Sequence, residues 1–369
     1  MRVLNFPCRS GFDRRNSRGR FFMSGLFRFP IFLRTFCVPA LLAALPLAGP
    51  AFALTAQEVN DAAFAPSTGS REGVDPAVLR AQVLLDRQRF SPGSIDGRTG
   101  ENFANALDAF AAANGLQPGG KLTGEIWERL VAGSQGPVLV AHALSPEDVK
   151  GPFVDTIPKE YEEMAELKSL AYTSVEEALG EQFHVSPTLL KALNPKSTFA
   201  AGEEIVVPAA RPDPKPSQIT NRNVAASDGG KAPVTRIEVD KTRRALRAFD
   251  LEGRLLATYP ASIGSEEKPA PSGTFAIKAI ARNPTYTYNP DYGFKGQKAK
   301  AKIEVPAGPN NPVGAVWLDL TAESYGIHGT PEPERVGKTA SHGCVRLTNW
   351  DVKDLASMVG KGTEVTFVD

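Results

Sequence analysis

Towards the C-terminus, apolar and polar residues alternate with a period of two, whereas nearer the N-terminus apolar residues recur at helical spacing. Thr235-Arg236-Ile237-Glu238-Val239-Asp240 alternates as a half-buried strand does. Ala245 to Phe249 predicts a second strand, Leu251 to Arg254 a turn, and Leu255 to Ala261 a third strand. Phe275 to Ala279, Val316 to Leu320 and Val365 to Val368 continue the pattern, with one short helix near Trp350 to Val359. Short strands separated by Gly/Pro turns predict a mainly β sandwich or partly closed barrel over 234–369.

Upstream, Val78, Leu79, Val83, Leu84 and Leu85 lie on one helical face, followed by Phe103, Ala106, Leu107 and Phe110 at i, i+3, i+4, i+7. Ser91-Pro92-Gly93 and Pro118-Gly119-Gly120 mark turns, and Thr123 caps a third helix through Ile126, Trp127 and Leu130. Glu125 sits one position too early for a capping box. A three-helix unit is therefore expected over 76–133, after a small, polar linker over 54–75. Residues 134–163 read as a second, loop-like linker. Residues 164–209 predict two helices and a short strand, Ile205-Val206-Val207, with His184 as a surface or packing histidine. Pro212, Pro214 and Pro216 make 210–233 an extended, semi-rigid tether.

The first 53 residues read as a targeting segment. Arg28 and Arg34 precede an apolar run from Val38 to Leu47, and Ala51-Phe52-Ala53 offers an A-x-A cleavage site. The run is short and broken by prolines, so export to the periplasm is expected, with membrane anchoring as the outcome if it stays uncleaved. Removing 1–53 takes eight arginines and one aspartate from 42 basic and 41 acidic residues, leaving a net charge of about −6. That sign opposes polyanion binding, so nucleic acid is not an expected partner.

Export makes the cysteines informative. Cys8 and Cys37 fall in the targeting segment, which leaves Cys344 as a single thiol in an oxidising compartment. It sits in Ser341-His342-Gly343-Cys344-Val345-Arg346-Leu347. A thiol with a pKa near 8.5 needs a base or a cation beside it to act as a nucleophile at neutral pH. His342 and His328 are the candidates, and the alternative for Cys344 is a small buried apolar residue. The peptide N–H groups of Gly343 and Cys344 are natural oxyanion donors, and a glycine at 343 lets the backbone approach a substrate closely. Arg346 fits either a bidentate contact to a substrate carboxylate or a structural salt bridge. Ser341 reads as a local hydrogen-bonder. A His-Gly-Cys spacing is poor for zinc, and neither a metal nor a cofactor is expected. Trp317 and Trp350 read as core. The tyrosine- and lysine-rich stretch from Arg282 to Asn311, with Tyr286, Tyr288, Tyr292, Lys295, Lys298, Lys300 and Lys302, is long enough to be a lid or substrate wall.

Tyr325-Gly326-Ile327-His328-Gly329-Thr330 together with Ser341 to Leu347 resembles the signature of the L,D-transpeptidase (YkuD-type) family. Pro271-Ser272-Gly273-Thr274-Phe275 and Gly308 to Gly314 add to the resemblance, which spans roughly 234–369. Ser94-Ile95-Asp96-Gly97-Arg98-Thr99-Gly100 with Ala109-Phe110 and Asn114-Gly115-Leu116 resembles a peptidoglycan-binding domain, although alanine replaces the usual glutamine after Phe110. Phe183 to Pro195 ahead of Ala201 to Pro208 is similar to the second half of a LysM domain, without its Gly-Asp-Thr-Leu opening. The resemblance implies a multidomain protein with an accessory helical domain, a small α/β module and a catalytic β domain. It implies Cys344 as nucleophile and His328 as base, oriented through the backbone carbonyl of Gly329, with His342 and Gly343 shaping the oxyanion site. Tyr325, Ser341 and Arg346 would line the substrate. Implied partners are peptidoglycan stem peptides, glycan strands and a wall-attached protein as acyl acceptor, and the implied chemistry is cross-linking or protein attachment through a thioacyl-enzyme. Trimming by an L,D-carboxypeptidase or other cysteine peptidase, and an inactive wall-binding protein, are the competing readings.

Overall fold

The computed structural model describes residues 54–64, 73–221, 233–265, 268–290, 301–341 and 343–369. Residues 1–53, read above as a targeting segment, and His342, Tyr292, Lys295, Lys298 and Lys300 lie outside the described residues.

The chain enters through α1 (Ala56–Asn60), inside the stretch read as a linker. The Asn60 Oδ1 accepts the Val138 and Leu139 N–H groups, both at 2.8 Å, which ties α1 to the next module. Val59 is its only buried apolar residue, too little to show a period.

Helices α2 (Pro76–Arg87), α3 (Glu101–Ala113) and α4 (Gly124–Ala132) then pack as three amphipathic elements. Asp75 caps α2 by accepting from Ala77 N–H at 2.9 Å, with Pro76 at the first helical position. Thr123 caps α4 through Ile126 N–H at 3.3 Å. Leu79, Leu85, Leu107, Phe110, Ile126 and Leu130 are buried together, and each such side chain stabilises the unit by about 1.5–3 kcal/mol.

The next module runs β1 (Leu139–Ala143), α5 (Tyr161–Ala165), α6 (Val175–Gln182), α7 (Pro187–Leu193) and β2 (Glu204–Pro208). β1 and β2 pair antiparallel from Leu139↔Pro208 to Ala143↔Glu204. This corrects the reading of 134–163 as loop: its strand is only half buried and built from Val140, Ala141 and Ala143 around His142, a weak alternation. Its buried apolar residues, among them Leu189, Leu190, Ile205 and Val207, belong to the same core as the three helices.

The C-terminal domain comprises β3 (Arg236–Asp240), β4 (Ala245–Phe249), β5 (Leu255–Pro260), β6 (Ser262–Ile263), β7 (Gly273–Arg282), β8 (Tyr286–Tyr288), β9 (Ile303–Val305), β10 (Val316–Leu320), β11 (Gly326–His328), β12 (Val345–Arg346), α8 (Asn349–Met358) and β13 (Glu364–Val368). Nine strands follow the order β5-β4-β3-β13-β7-β10-β11-β12-β6. β7 serves two halves: Gly273 to Ala276 pair with β13, while Ile277 to Arg282 pair with β10. A strand shared in this way curls the sheet into a mostly β sandwich approaching a barrel, with α8 packed on β10 and β11. β8 and β9 form a separate hairpin within the Arg282–Asn311 stretch.

An ionic cluster joins the domains. Arg211, 6% exposed, lies 3.0 Å from Asp354, 3.4 Å from Asp351 and 3.9 Å from Asp86. The buried His184 ring lies 3.1 Å from Asp86 and 3.7 Å from Asp213, and Asp213 pairs with Lys353 at 2.7 Å. Ser91 donates to Asp351 at 2.9 Å. His184 is packed in the interior, one of the two places its sequence reading allowed, and its ion pair left no sequence signal because Asp86 is remote. One expectation is corrected here. The described part of the proline-rich stretch, up to Asn221, is anchored through Arg211 and Asp213 and is not a free tether.

Candidate active site

Cys344 stands one residue ahead of β12, a strand of two residues that pairs in parallel with β11 through Ile327↔Val345 and His328↔Arg346. By strand alternation His328 and Arg346 share one face of the sheet with position 344. The structure thus brings the motif around His328 and the motif around Cys344 side by side, although sixteen residues separate the two side chains in sequence. Thr348 follows directly and caps α8, its hydroxyl accepting Asp351 N–H at 3.1 Å, so the turn after the thiol is pinned to a helix.

His328 is fully buried. Its Nδ1 lies 2.6 Å from the Gly329 carbonyl oxygen. A carbonyl only accepts, so Nδ1 carries a proton. The ring stacks on Trp317, its register partner on β10, with centroids 5.4 Å apart and planes at 20°. Hydrogen bond and indole together fix both the tautomer and the plane of the ring.

Cys344 is 1% exposed, and its Sγ lies 4.0 Å from the Ser324 carbonyl oxygen. It belongs to an apolar cluster with Tyr161, Leu170, Tyr286, Tyr288, Val305, Val313 and Trp317. Two of these come from the α5 region. The Tyr161 ring packs on Tyr286 and Tyr288, with centroids 5.5 and 4.9 Å apart. The Leu170 N–H donates to the Ala307 carbonyl at 3.0 Å, and its own carbonyl accepts from Asn310 N–H at 2.9 Å. The apolar cluster that includes the thiol is thus built partly by the module upstream of the C-terminal domain.

Gly343 has φ +98°, a conformation that side chains other than hydrogen rarely adopt. A Cβ there would also meet the Tyr325 ring at 2.8 Å, so the half-buried tyrosine lies against the peptide preceding the thiol. The Ser341 hydroxyl donates to the Cys344 carbonyl, and its N–H donates to Gly264 O at 2.9 Å. Arg346 is buried between β11 and β6. His342 lies outside the described residues. Among the described residues no group of three or more His, Cys, Asp or Glu side chains is arranged to hold a metal ion.

Two residues of the site escaped the sequence reading. Trp317 was assigned to core, and only the β10–β11 register reveals it as the platform for His328. Asn349 is fully buried and accepts the Ala315 N–H at 2.9 Å, behind the Gly329 peptide. Its position at the start of α8 gave no signal of that contact.

Residues 234–367 match the family described as the L,D-transpeptidase catalytic domain, and residues 74–130 match the "Putative peptidoglycan binding domain". "Putative L,D-transpeptidase YkuD" of Bacillus subtilis is 31% identical over 191 residues, covering 51% of this chain and 90% of that protein. That coverage exceeds the catalytic domain, so the match takes in residues ahead of Val234. "Probable L,D-transpeptidase YbiS" of Escherichia coli is 38% identical over 115 residues, covering 30% of this chain and 37% of that one. Among solved structures, L,D-transpeptidase 3 from Mycobacterium tuberculosis with a faropenem-derived adduct aligns at 16% identity and a TM-score of 0.31, over 37% of this chain and 61% of that chain. With nine-tenths of the Bacillus protein covered at this identity, the chain belongs to the YkuD-type L,D-transpeptidase family of enzymes.

Proposed function

We propose that the protein is a peptidoglycan L,D-transpeptidase that works through a thioacyl-enzyme on Cys344. The observation that carries this reading is His328: a buried imidazole with Nδ1 committed to a backbone carbonyl, on the strand paired with the one that follows the thiol. Family membership and the peptidoglycan-binding domain support the substrate class.

In this reading His328 Nε2 takes the thiol proton as Sγ attacks the carbonyl of the L-centred third residue of a stem tetrapeptide. The oxyanion forms opposite the N–H groups of Gly343 and Cys344. Collapse expels the terminal D-alanine, whose amine leaves with the proton from Nε2, and a thioester remains. A side-chain amine of a second stem, or of a wall-attached protein, then attacks the thioester. It gives a proton to Nε2, which returns it to the departing thiolate. Tyr325 is assigned to line the donor, and Arg346 to the substrate carboxylate. With the thiol only 1% exposed, the donor enters by parting the wall made by Tyr161, Tyr286 and Tyr288. A β-lactam of the carbapenem class would acylate the same sulfur.

The module from β1 to β2 is read as a second wall-binding element, LysM-like in α6, α7 and its second strand. The chemistry is read as periplasmic, with residues 1–53 directing export.

The test is incubation of the purified protein with isolated sacculi, followed by mass spectrometry of the muropeptides. New dimers linked through the third residue, absent with Cys344→Ala, are the expected result. Shortened stems without dimers would instead indicate a peptidase.

A further inference from the structure

His328 depends on the Gly329 carbonyl, and the Gly329 peptide has a support of its own. The Asn349 Oδ1 accepts the Ala315 N–H at 2.9 Å. A Cβ built on Gly314 or on Gly329 would come within 2.2 Å of that same oxygen, and at Gly314 it would also meet the Gly329 carbonyl carbon at 2.5 Å. The amide therefore fills the gap left by two side-chain-free residues, and the three groups pack as one block.

By shape alone an asparagine amide fits such a gap either way round, so its hydrogen bonds decide the orientation. Its Nδ2 donates to the Pro309 carbonyl at 3.1 Å and to Glu181 Oε1 at 2.7 Å. Glu181 belongs to α6, in the module upstream of the catalytic domain, and is buried. Its other oxygen accepts from the Tyr172 hydroxyl at 3.1 Å. Lys353 and Asp213 are the charged groups that face it. Nothing in the acyl-transfer scheme uses Glu181, yet it is joined to the base by an unbroken chain of contacts.

We infer that Glu181 is a positioning residue for acyl transfer, fixing the Asn349 amide so that the Gly329 carbonyl holds His328 through Nδ1. This rests on the thioacyl reading of Cys344 above. It makes the upstream module part of the catalytic machinery's support, in addition to any part it plays in wall binding.

The test compares Glu181→Gln with Glu181→Met in the full chain, using acylation of Cys344 by a stem tetrapeptide. Gln keeps an acceptor for the Asn349 amide and should acylate within about twofold of wild type. Met keeps the volume and removes the acceptor. It should lower kcat about tenfold with KM little changed and, because a displaced Gly329 carbonyl gives less support to the protonated ring, move the rising limb of the pH–rate profile to lower pH. Asn349→Asp breaks the same contact from the other side while keeping the Ala315 acceptor, and should shift the profile likewise even if Glu181→Met folds poorly. A Met variant with wild-type kcat and profile, or a Gln variant as impaired as Met, overturns the inference. A merely structural role would lower the melting temperature and leave the profile of the folded protein unmoved. If wild-type protein forms no Cys344 adduct, the thioacyl reading fails first. If it does and the variants match it, only the positioning role fails.

Discussion

Two histidines of this chain share an environment in all respects but one. His184 and His328 are both fully buried, and each stacks on a tryptophan: Trp350 at 5.1 Å and 11°, Trp317 at 5.4 Å and 20°. The difference is the partner of the ring nitrogen. His184 faces the Asp86 carboxylate, with Asp213 beyond its other nitrogen, whereas His328 faces a neutral peptide carbonyl. Burial by itself would push His184 towards the neutral form, but the charge of Asp86 and the contact with Asp213 outweigh it and raise its pKa to about 9. It is a fixed cation that rivets three modules together. A carbonyl orients a ring without supplying a full counter-charge. Burial and aromatic packing do not make a base; the charge of the second partner decides.

The largest separation between the two should come from replacing each in turn. His328→Ala should reduce Cys344 acylation by about 10²–10⁴-fold with little change in melting temperature, read by single-turnover kinetics beside calorimetry. His184→Ala should do the converse. It leaves Asp86 with Arg211 alone and Asp213 with Lys353 alone, and should cost about 3–5 kcal/mol, measured by denaturant unfolding. A His184 variant that unfolds like wild type would erase the proposed distinction.

A pH series sharpens the contrast. The folded pKa of His184 is raised above its unfolded value near 6.5, so its contribution is fully present below that pH and lost as pH rises through about 9. The Asp86 carboxyl is pulled the other way: burial would raise it, but His184 and Arg211 lower it to about 2. Its contribution is complete above the unfolded value near 4 and lost as pH falls through about 2. Wild-type stability should therefore decline between pH 6.5 and 9.5 more steeply than that of His184→Gln. Parallel curves for the two proteins would contradict the assignment.

The smallest expected effect concerns the wall over the thiol. Tyr161→Ala removes a ring packed on Tyr286 and Tyr288, and should speed alkylation of Cys344 by a neutral reagent several-fold. An unchanged rate would remove α5 from the wall.

What the sequence disclosed divides along the same lines. Strands β3, β4, β5, β10 and β13 were legible because their alternation is carried by large residues such as Ile237, Val239, Leu246 and Phe367. The three helices were legible from Leu and Phe spacing and, for the third, from the Thr123 cap. β12, β8 and β9 are two or three residues long, and a period of two cannot be recognised over that length. The chemistry-bearing motifs were visible because His328, Gly329, Gly343 and Cys344 lie in two short runs. Their supports were not. Trp317, Asn349 and Glu181 reach the site through strand register and inter-module packing, and the His184–Asp86 pair links residues 98 apart. Contacts of that kind leave no local pattern.

The most direct test of the account is intact-protein mass spectrometry after brief exposure to a disaccharide-tetrapeptide donor. Wild-type protein should gain the donor mass less one D-alanine, the His328→Ala variant should gain it only slowly, and Cys344→Ala should gain nothing. An adduct that persists without the Cys344 sulfur, or full-speed acylation without the His328 imidazole, would contradict the account.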